Sequence, residues 1–353
     1  MSVHVSALHL PQFHRTPEND LWWGKGFTEW TNVTKAKPLY PGHKQPNLPT
    51  DLGLYDLRVE ASRIEQAALA QESGIDSFCY WHYWFAGRRV LTEPVALSLE
   101  SSKETFPFFL NWANETWQGR WYGASGTTLI EQTYPGEQDY INHFEAVLPY
   151  FKSERYVKFD GKPVFAIYKP KQIPNLSEFK ETWDHLAREA GFNGIYWVGQ
   201  VDSKNDVLDI KSSFDRLYLN PGALWKILFG MDYRIFERLR LPRLIDASRF
   251  PRDLQEFHDS FPEVAPCVMP HWDNTPRSNR RGNVWVRNST TVFEQQLKVA
   301  FETASQVAAP HAPGLIMVKS WNEWAESNCL EPGGWWGHGF LETLRKLRSN
   351  YDQ

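Results

Sequence analysis

Eight short apolar runs, each nearly continuous and each set off by polar or helix-patterned chain, constrain this sequence more than any other feature. They are Val3–Leu10, Ile75–Trp81, Pro107–Trp112, Val164–Tyr168, Ile195–Gln200, Phe214–Leu219, Ala265–Met269 and Leu315–Trp321. A strand with one wet face alternates apolar and polar residues. A run that is apolar throughout predicts a strand covered on both faces, as in a parallel sheet under helices. Amphipathic segments intervene at Leu57–Ser73, Glu137–Phe151, Leu176–Ala190, Thr291–Ala308 and Gly339–Arg348, the first ending at Gly74, a natural helix stop. Alternating strand and helix with eight strands predicts the α/β class and a (β/α)8 barrel. No GxGxxG or P-loop follows the first strand, which counts against an open nucleotide-binding sheet. No repeat or Ser/Gly-rich linker divides residues 1–353, so one barrel domain is expected, with long insertions at Phe13–Asp56 after strand one and Asn220–Phe261 after strand six. The second insertion carries its own helical pattern in Trp225–Leu239.

Charge and cysteine narrow the function. With 38 Lys+Arg against 42 Asp+Glu the net charge is -4, so no basic excess exists to neutralise nucleic-acid phosphates. No apolar run approaches the roughly 20 residues of a membrane span, and MSVHVSALHLPQFH reads as a strand rather than a signal peptide. The three cysteines, Cys79, Cys267 and Cys329, show no CxxC spacing and form neither a disulfide framework nor a zinc site by pattern. A cytoplasmic chain without cofactor or metal is expected. The aromatic content is the unusual number: 17 Trp, 14 Tyr and 22 Phe make 15% of the chain. Cores can be built from Leu, Ile and Val, so this much Trp points to a surface that stacks on ring-shaped ligands. Adjacent pairs such as Trp22-Trp23 and Trp335-Trp336 cannot easily share one core.

In barrels of this kind chemistry sits at the C-terminal ends of the strands. There the sequence places His9 and Gln12, then Trp30, after strand one. His82, Tyr83 and Trp84 end strand two; Asn111, Trp112, Asn114 and Glu115 end strand three. Tyr168 closes strand four, Trp272 and Asp273 follow strand seven, and Trp321 and Asn322 lead into Glu323 and Glu326 after strand eight. Two glutamates three apart would share one face of a helical turn. Paired carboxylates flanking one bond are what glycoside cleavage needs, one protonated as acid and one ionised as base or nucleophile. Trp321 and Trp324 are expected as the apolar wall that raises one carboxyl's pKa. Trp30, His82, Trp84, Asn111, Trp112, Glu115 and Asp273 are expected in one cleft with the glutamates. A metal held by His9, His82, His271 and Asp273 is not signalled by spacing.

Long stretches carry a family resemblance: LPQFHRTPENDLWWGKGFTEWTNVTKAKPLYPGHKQPNLPTDLGLYDLR, GIDSFCYWHYWFAGRRVL, FPFFLNWANETW, LIEQTY, VKFDGKPVFAIYKP, MPHWDNTPR and SWNEWAESNCLEP. Here the sequence resembles the WbsX-type family, relatives of glycoside hydrolase family 99, over nearly its whole length. The resemblance implies a (β/α)8 barrel handling bacterial surface polysaccharide, often labelled glycosyltransferase. It implies further that Glu323 is the base assisting a sugar 2-hydroxyl and Glu326 the acid/base at the glycosidic oxygen, with retention through a 1,2-anhydro sugar. The sequence departs from the family where many members have Gly after the second glutamate; here Ser327 stands. Three readings follow: a retaining hydrolase of a mannose-like or related α-linked sugar, an O-antigen glycosyltransferase, and a non-catalytic carbohydrate-binding barrel. An oligo- or polysaccharide is the partner in each.

Overall fold

All eight apolar runs become parallel strands because almost none of their residues meets water. In the computed structural model, which describes residues 2–119, 127–227 and 233–351, these are β1 (Val3–His9), β2 (Ser77–His82), β3 (Phe108–Trp112), β4 (Lys162–Ile167), β5 (Tyr196–Val201), β6 (Arg216–Leu219), β7 in two pieces (Val264–Ala265 and Cys267–Val268) and β8 (Gly314–Val318). Every residue of β2, β3, β5, β7 and β8 is buried. The ladder runs from β1 through β6 in order, then through β7 and β8 back to β1. Pro266, which has no N–H to give, divides β7. The first piece pairs with β6 and the second with β8, while the Pro266 carbonyl accepts from Met317 N at 2.9 Å. The ring closes through the proline.

The helices are α1 (Pro17–Trp23), α2 (Glu29–Lys35), α3 (Glu60–Glu72), α4 (Glu93–Glu100), α5 (Glu137–Phe151), α6 (Leu176–Glu189), α7 (Lys204–Ile210), α8 (Tyr233–Arg238), α9 (Phe250–Ser260), α10 (Thr275–Ser278), α11 (Thr290–Gln306) and α12 (Gly339–Tyr351). The five helices expected from periodicity are α3, α5, α6, α11 and α12. The helical pattern at Trp225–Leu239 falls partly outside the described residues; within them, Tyr233–Arg238 is helical. The insertion after β6 is shorter than expected, because α9 is a barrel helix packed on α11. Pro251 occupies the first turn of α9, where the missing N–H has no partner to lose. The insertion after β1 holds α1 and α2. The Thr16 hydroxyl caps α1 by accepting Asn19 N at 3.1 Å, with Pro17 next, a start signal legible in the sequence.

One glycine sets how closely helix and sheet approach. A Cβ added at Gly314, the first residue of β8, would lie 2.0 Å from the Ala304 carbonyl oxygen of α11. Backbone cannot yield as a side-chain tip does. Gly314→Ala should therefore cost about 1–3 kcal/mol, the usual penalty of overpacking. Urea denaturation checks this, and an unchanged midpoint would show that α11 shifts without cost.

Candidate active site

The glutamates stand where β8 leaves the barrel, held by a side chain that imitates a strand. Asn322 Oδ1 accepts Leu10 N at 2.7 Å and its Nδ2 donates to Leu10 O at 3.0 Å, so one amide reads both backbone groups beyond β1. Asn322–Glu323 then pairs antiparallel with Asn328–Cys329 around a 3-10 turn, Trp324–Glu326. The turn closes at Ser327 with φ 45°, in the left-handed region where glycine is least strained. Here the serine hydroxyl compensates by accepting Gln45 Nε2 at 3.1 Å. Asp273 N donates to the Glu326 carbonyl at 2.7 Å, fixing the turn from the β7 side.

Glu323 and Glu326 lie side by side and share a hydrogen bond. Between them and Glu29 of α2 sits Arg277 of α10. Its Nη1 is 2.8 Å from Glu326 Oε1 and 3.3 Å from Glu323 Oε2, and its Nη2 is 3.1 Å from Glu29 Oε2. Gln12 Nε2 donates to the other Glu29 oxygen at 3.2 Å. All four charged groups are largely buried, with Arg277 and Glu323 each 9% exposed at the side chain. Three carboxylates around one guanidinium leave an excess negative charge, which a proton on one of them relieves. Glu326 takes that part: burial and then the Glu323 charge push its pKa up to about 8, against the opposing pull of Arg277. Burial also opposes the Glu323 charge, but Arg277 and the hydrogen bond from Glu326 outweigh it and hold Glu323 below the ordinary glutamate value. The two carboxyls are thus driven apart in acidity, as an acid and base pair requires.

A cleft of about 370 Å³ opens over this cluster at the C-terminal mouth of the barrel. Of the residues expected at the site, Gln12, Tyr83, Glu115, Tyr168, Trp272, Glu323 and Glu326 line it. Its aromatic walls are Trp22 and Trp23 of α1, Trp81 of β2, Trp117, Tyr83, Tyr168 and Trp272. Burial, followed by the Glu323 charge, holds the Tyr83 phenol well above its usual pKa. Glu29, Arg277 and Lys319 line the cleft too and were not singled out from the sequence. Glu29 lies in the stretch that begins LPQFHRTPENDLWWGKGFTEW, and Arg277 in MPHWDNTPR. Nothing local marks either, because their role exists only through one another.

The other expected residues lie behind the cleft wall rather than in it. His82, Trp84 and Trp112 face the helix layer: His82 and His143 share a hydrogen bond at 2.8 Å, the Trp84 ring stacks on His143 at 4.7 Å, and Trp112 Nε1 donates to Trp84 O. Burial drives the His82 pKa down to about 3, so it is a neutral packing group. His9 is likewise pushed to about 3 by burial and bonds Gln66 at 3.1 Å. Asn111 is inside the barrel, donating to Tyr218 Oη at 2.9 Å, and Asn114 ties its loop to Lys169 through both backbone groups. Trp30 donates to Tyr55 O at 2.8 Å. Asp273 is consumed by His43, Gln45 and Thr275, and burial is outweighed there by these bonds, which lower its pKa. Asn322 is spent on Leu10, as above. Trp321 is wholly buried against Phe78, and Trp324 donates to Glu331 at 2.5 Å, so neither walls the glutamates. Period-two alternation accounts for His82, Trp84 and Trp112: adjacent residues at a strand end face the interior and the helices in turn. Of the tryptophan pairs, Trp22 and Trp23 face the cleft, whereas Trp335 and Trp336 pack on His271.

An eight-stranded parallel ring covered by helices, with its charged cluster at the C-terminal mouth, defines a (β/α)8 barrel. The GH99 endo-alpha-mannosidase from Bacteroides thetaiotaomicron superposes with TM-score 0.60 at 14% identity, over 99% of this chain and 97% of that one. A structure described as a glycoside hydrolase-like protein gives 0.59 at 13%, over 98% and 93%. The pattern of the family described as Glycosyltransferase WbsX matches residues 5–344, and the chain belongs to that family. The uncharacterized protein WxcX of Xanthomonas campestris pv. campestris is 35% identical over 350 residues, 96% of this chain and 49% of the relative. The chain therefore spans about half the length of the curated relatives it matches.

Proposed function

We propose that the chain is a carbohydrate-active enzyme, a retaining glycoside hydrolase of a bacterial polysaccharide with a mannose-like or related α-linked sugar. The observation that carries this is the adjacent Glu323 and Glu326, pushed to opposite protonation states at the floor of a Trp- and Tyr-walled cleft. Glu326 would give its proton to the departing glycosidic oxygen, and Glu323 would take one from the oxygen that attacks the anomeric carbon. The aromatic walls would cover the C–H faces of the sugar rings. The family's description favours a second reading, transfer to an acceptor hydroxyl in O-antigen synthesis, for which the same pair would serve. Incubation with purified polysaccharide or aryl glycosides, and separately with nucleotide sugars plus acceptor, separates the two. Hydrolysis should give reducing-end product without any nucleotide sugar. Product formed only in the nucleotide-sugar arm would overturn the hydrolase reading in favour of transfer.

A further inference from the structure

We infer that Lys319 and Trp272 form a subsite for an anionic group, a carboxylate or a phosphate, carried by the saccharide in the cleft. This deepens the saccharide reading above and rests on it. Among the described residues two cations line the cleft, and their situations differ. The Arg277 charge is taken up by Glu29, Glu323 and Glu326. Lys319, the residue after β8, is half-buried and makes no ion pair among the described residues; its Nζ lies 5.2 Å from the centre of the Trp272 ring. An ammonium desolvated on one side by an indole gains more from an incoming anion than an exposed lysine does.

Neutral polar side chains also line the cleft, Gln12, Thr116 and Gln118 among them, and suit sugar hydroxyls; Lys319 is the group suited to an anion. The lining carboxylate outside the Arg277 cluster, Glu115, follows β3, which lies across the ring from β7 and β8. Its repulsion therefore acts at the far wall, while the Lys319 charge also reaches Glu323 and Glu326. A saccharide in the cleft would present an acidic substituent to Lys319 beside Trp272.

Ligand-observed NMR titrations test this with matched probes: methyl glycosides of mannose, glucose and galactose, their uronic acids, and their 6-phosphates. Wild type, Lys319→Met and Lys319→Arg are compared, each verified as folded by thermal denaturation. At least one anionic form should bind about tenfold more tightly than its neutral parent, as a charge-assisted contact provides. Lys319→Met should remove that preference while retaining the neutral affinity, and Lys319→Arg should keep it. Preference for the uronate over the phosphate would assign the anion as a sugar carboxylate, and the reverse as a phosphate ester. Equal binding of neutral and anionic forms, a preference that survives Lys319→Met, or no binding by any probe overturns the inference. Failure of the hydrolase reading shows separately, as undiminished turnover in glutamate variants, whatever these titrations give.

Discussion

Glu326→Gln should abolish turnover of saccharides with poor leaving groups while leaving part of the activity on aryl or fluoride donors, which need little protonation. Glu323→Gln should damage both, because it removes the group that activates the attacking oxygen. Each loss should reach ~10²–10⁴-fold, the usual contribution of a positioned acid or base. The contrast between donors carries the assignment, since a structural role would lower activity on all of them alike. Near-wild-type turnover by either folded variant on the true substrate removes that residue from the mechanism. The pH dependence has a defined sign. Wild-type activity should fall as pH rises through about 8, where Glu326 gives up its proton. Stability follows the same group. Between the ordinary glutamate pKa and about 8 the folded chain holds a proton that the unfolded chain has lost, so stability decreases as pH rises across that window. Glu326→Gln should flatten this slope, which denaturation at several pH values measures.

Arg277→Met should be the most destabilising change at the mouth of the barrel. It leaves Glu29, Glu323 and Glu326 facing one another with their shared cation gone. Removing one partner of a buried ion pair costs about 3–5 kcal/mol, because the remaining charge stays desolvated and unpaired. The deficit should depend on pH. Glu323, held below its ordinary pKa with Arg277's help, contributes stability above that ordinary value and loses it as pH falls through its folded value. Without Arg277 that contribution is gone at every pH. The variant should therefore fall furthest behind wild type near neutrality and approach it in acid, where the carboxyls are protonated. Arg277→Lys should recover only part of the loss, since an ammonium lacks the planar fork that reaches Glu29 through Nη2 and the glutamate pair through Nη1. A pH-independent deficit in urea denaturation would mean that Arg277 acts by packing alone.

The barrel was legible because its cause is written along the chain. A strand buried on both faces must be largely apolar, and Ile75–Trp81 and Leu315–Trp321, each with two polar residues, fit that pattern. The five longer amphipathic helices announce themselves by periodicity for the same reason. Short helices such as α1 and α2 bury too little to leave a period, and only their threonine caps mark them. Glu323 and Glu326 stood out because two acids among tryptophans at a strand end have few other uses. Position along the chain, however, places a residue at the mouth of the barrel without saying which way it faces. His82 and Trp84 turn to the helices and Tyr83 between them turns to the cleft.

What the sequence determined alone is therefore the ring of strands, the helices thick enough to cover it, and the pair of acids at its end. These follow from burial and local spacing, which act between neighbours in the chain. The tertiary structure alone decided that Arg277 and Glu29, separated by 248 residues, meet at those acids. It also decided that Lys319 lies over Trp272 and that Asn322 is spent on the backbone of Leu10. A buried charge is tolerable only beside its partner, and an amide is available to a ligand only if no backbone group has claimed it. Both conditions depend on what the closed ring brings together, and no pattern of adjacent residues encodes them.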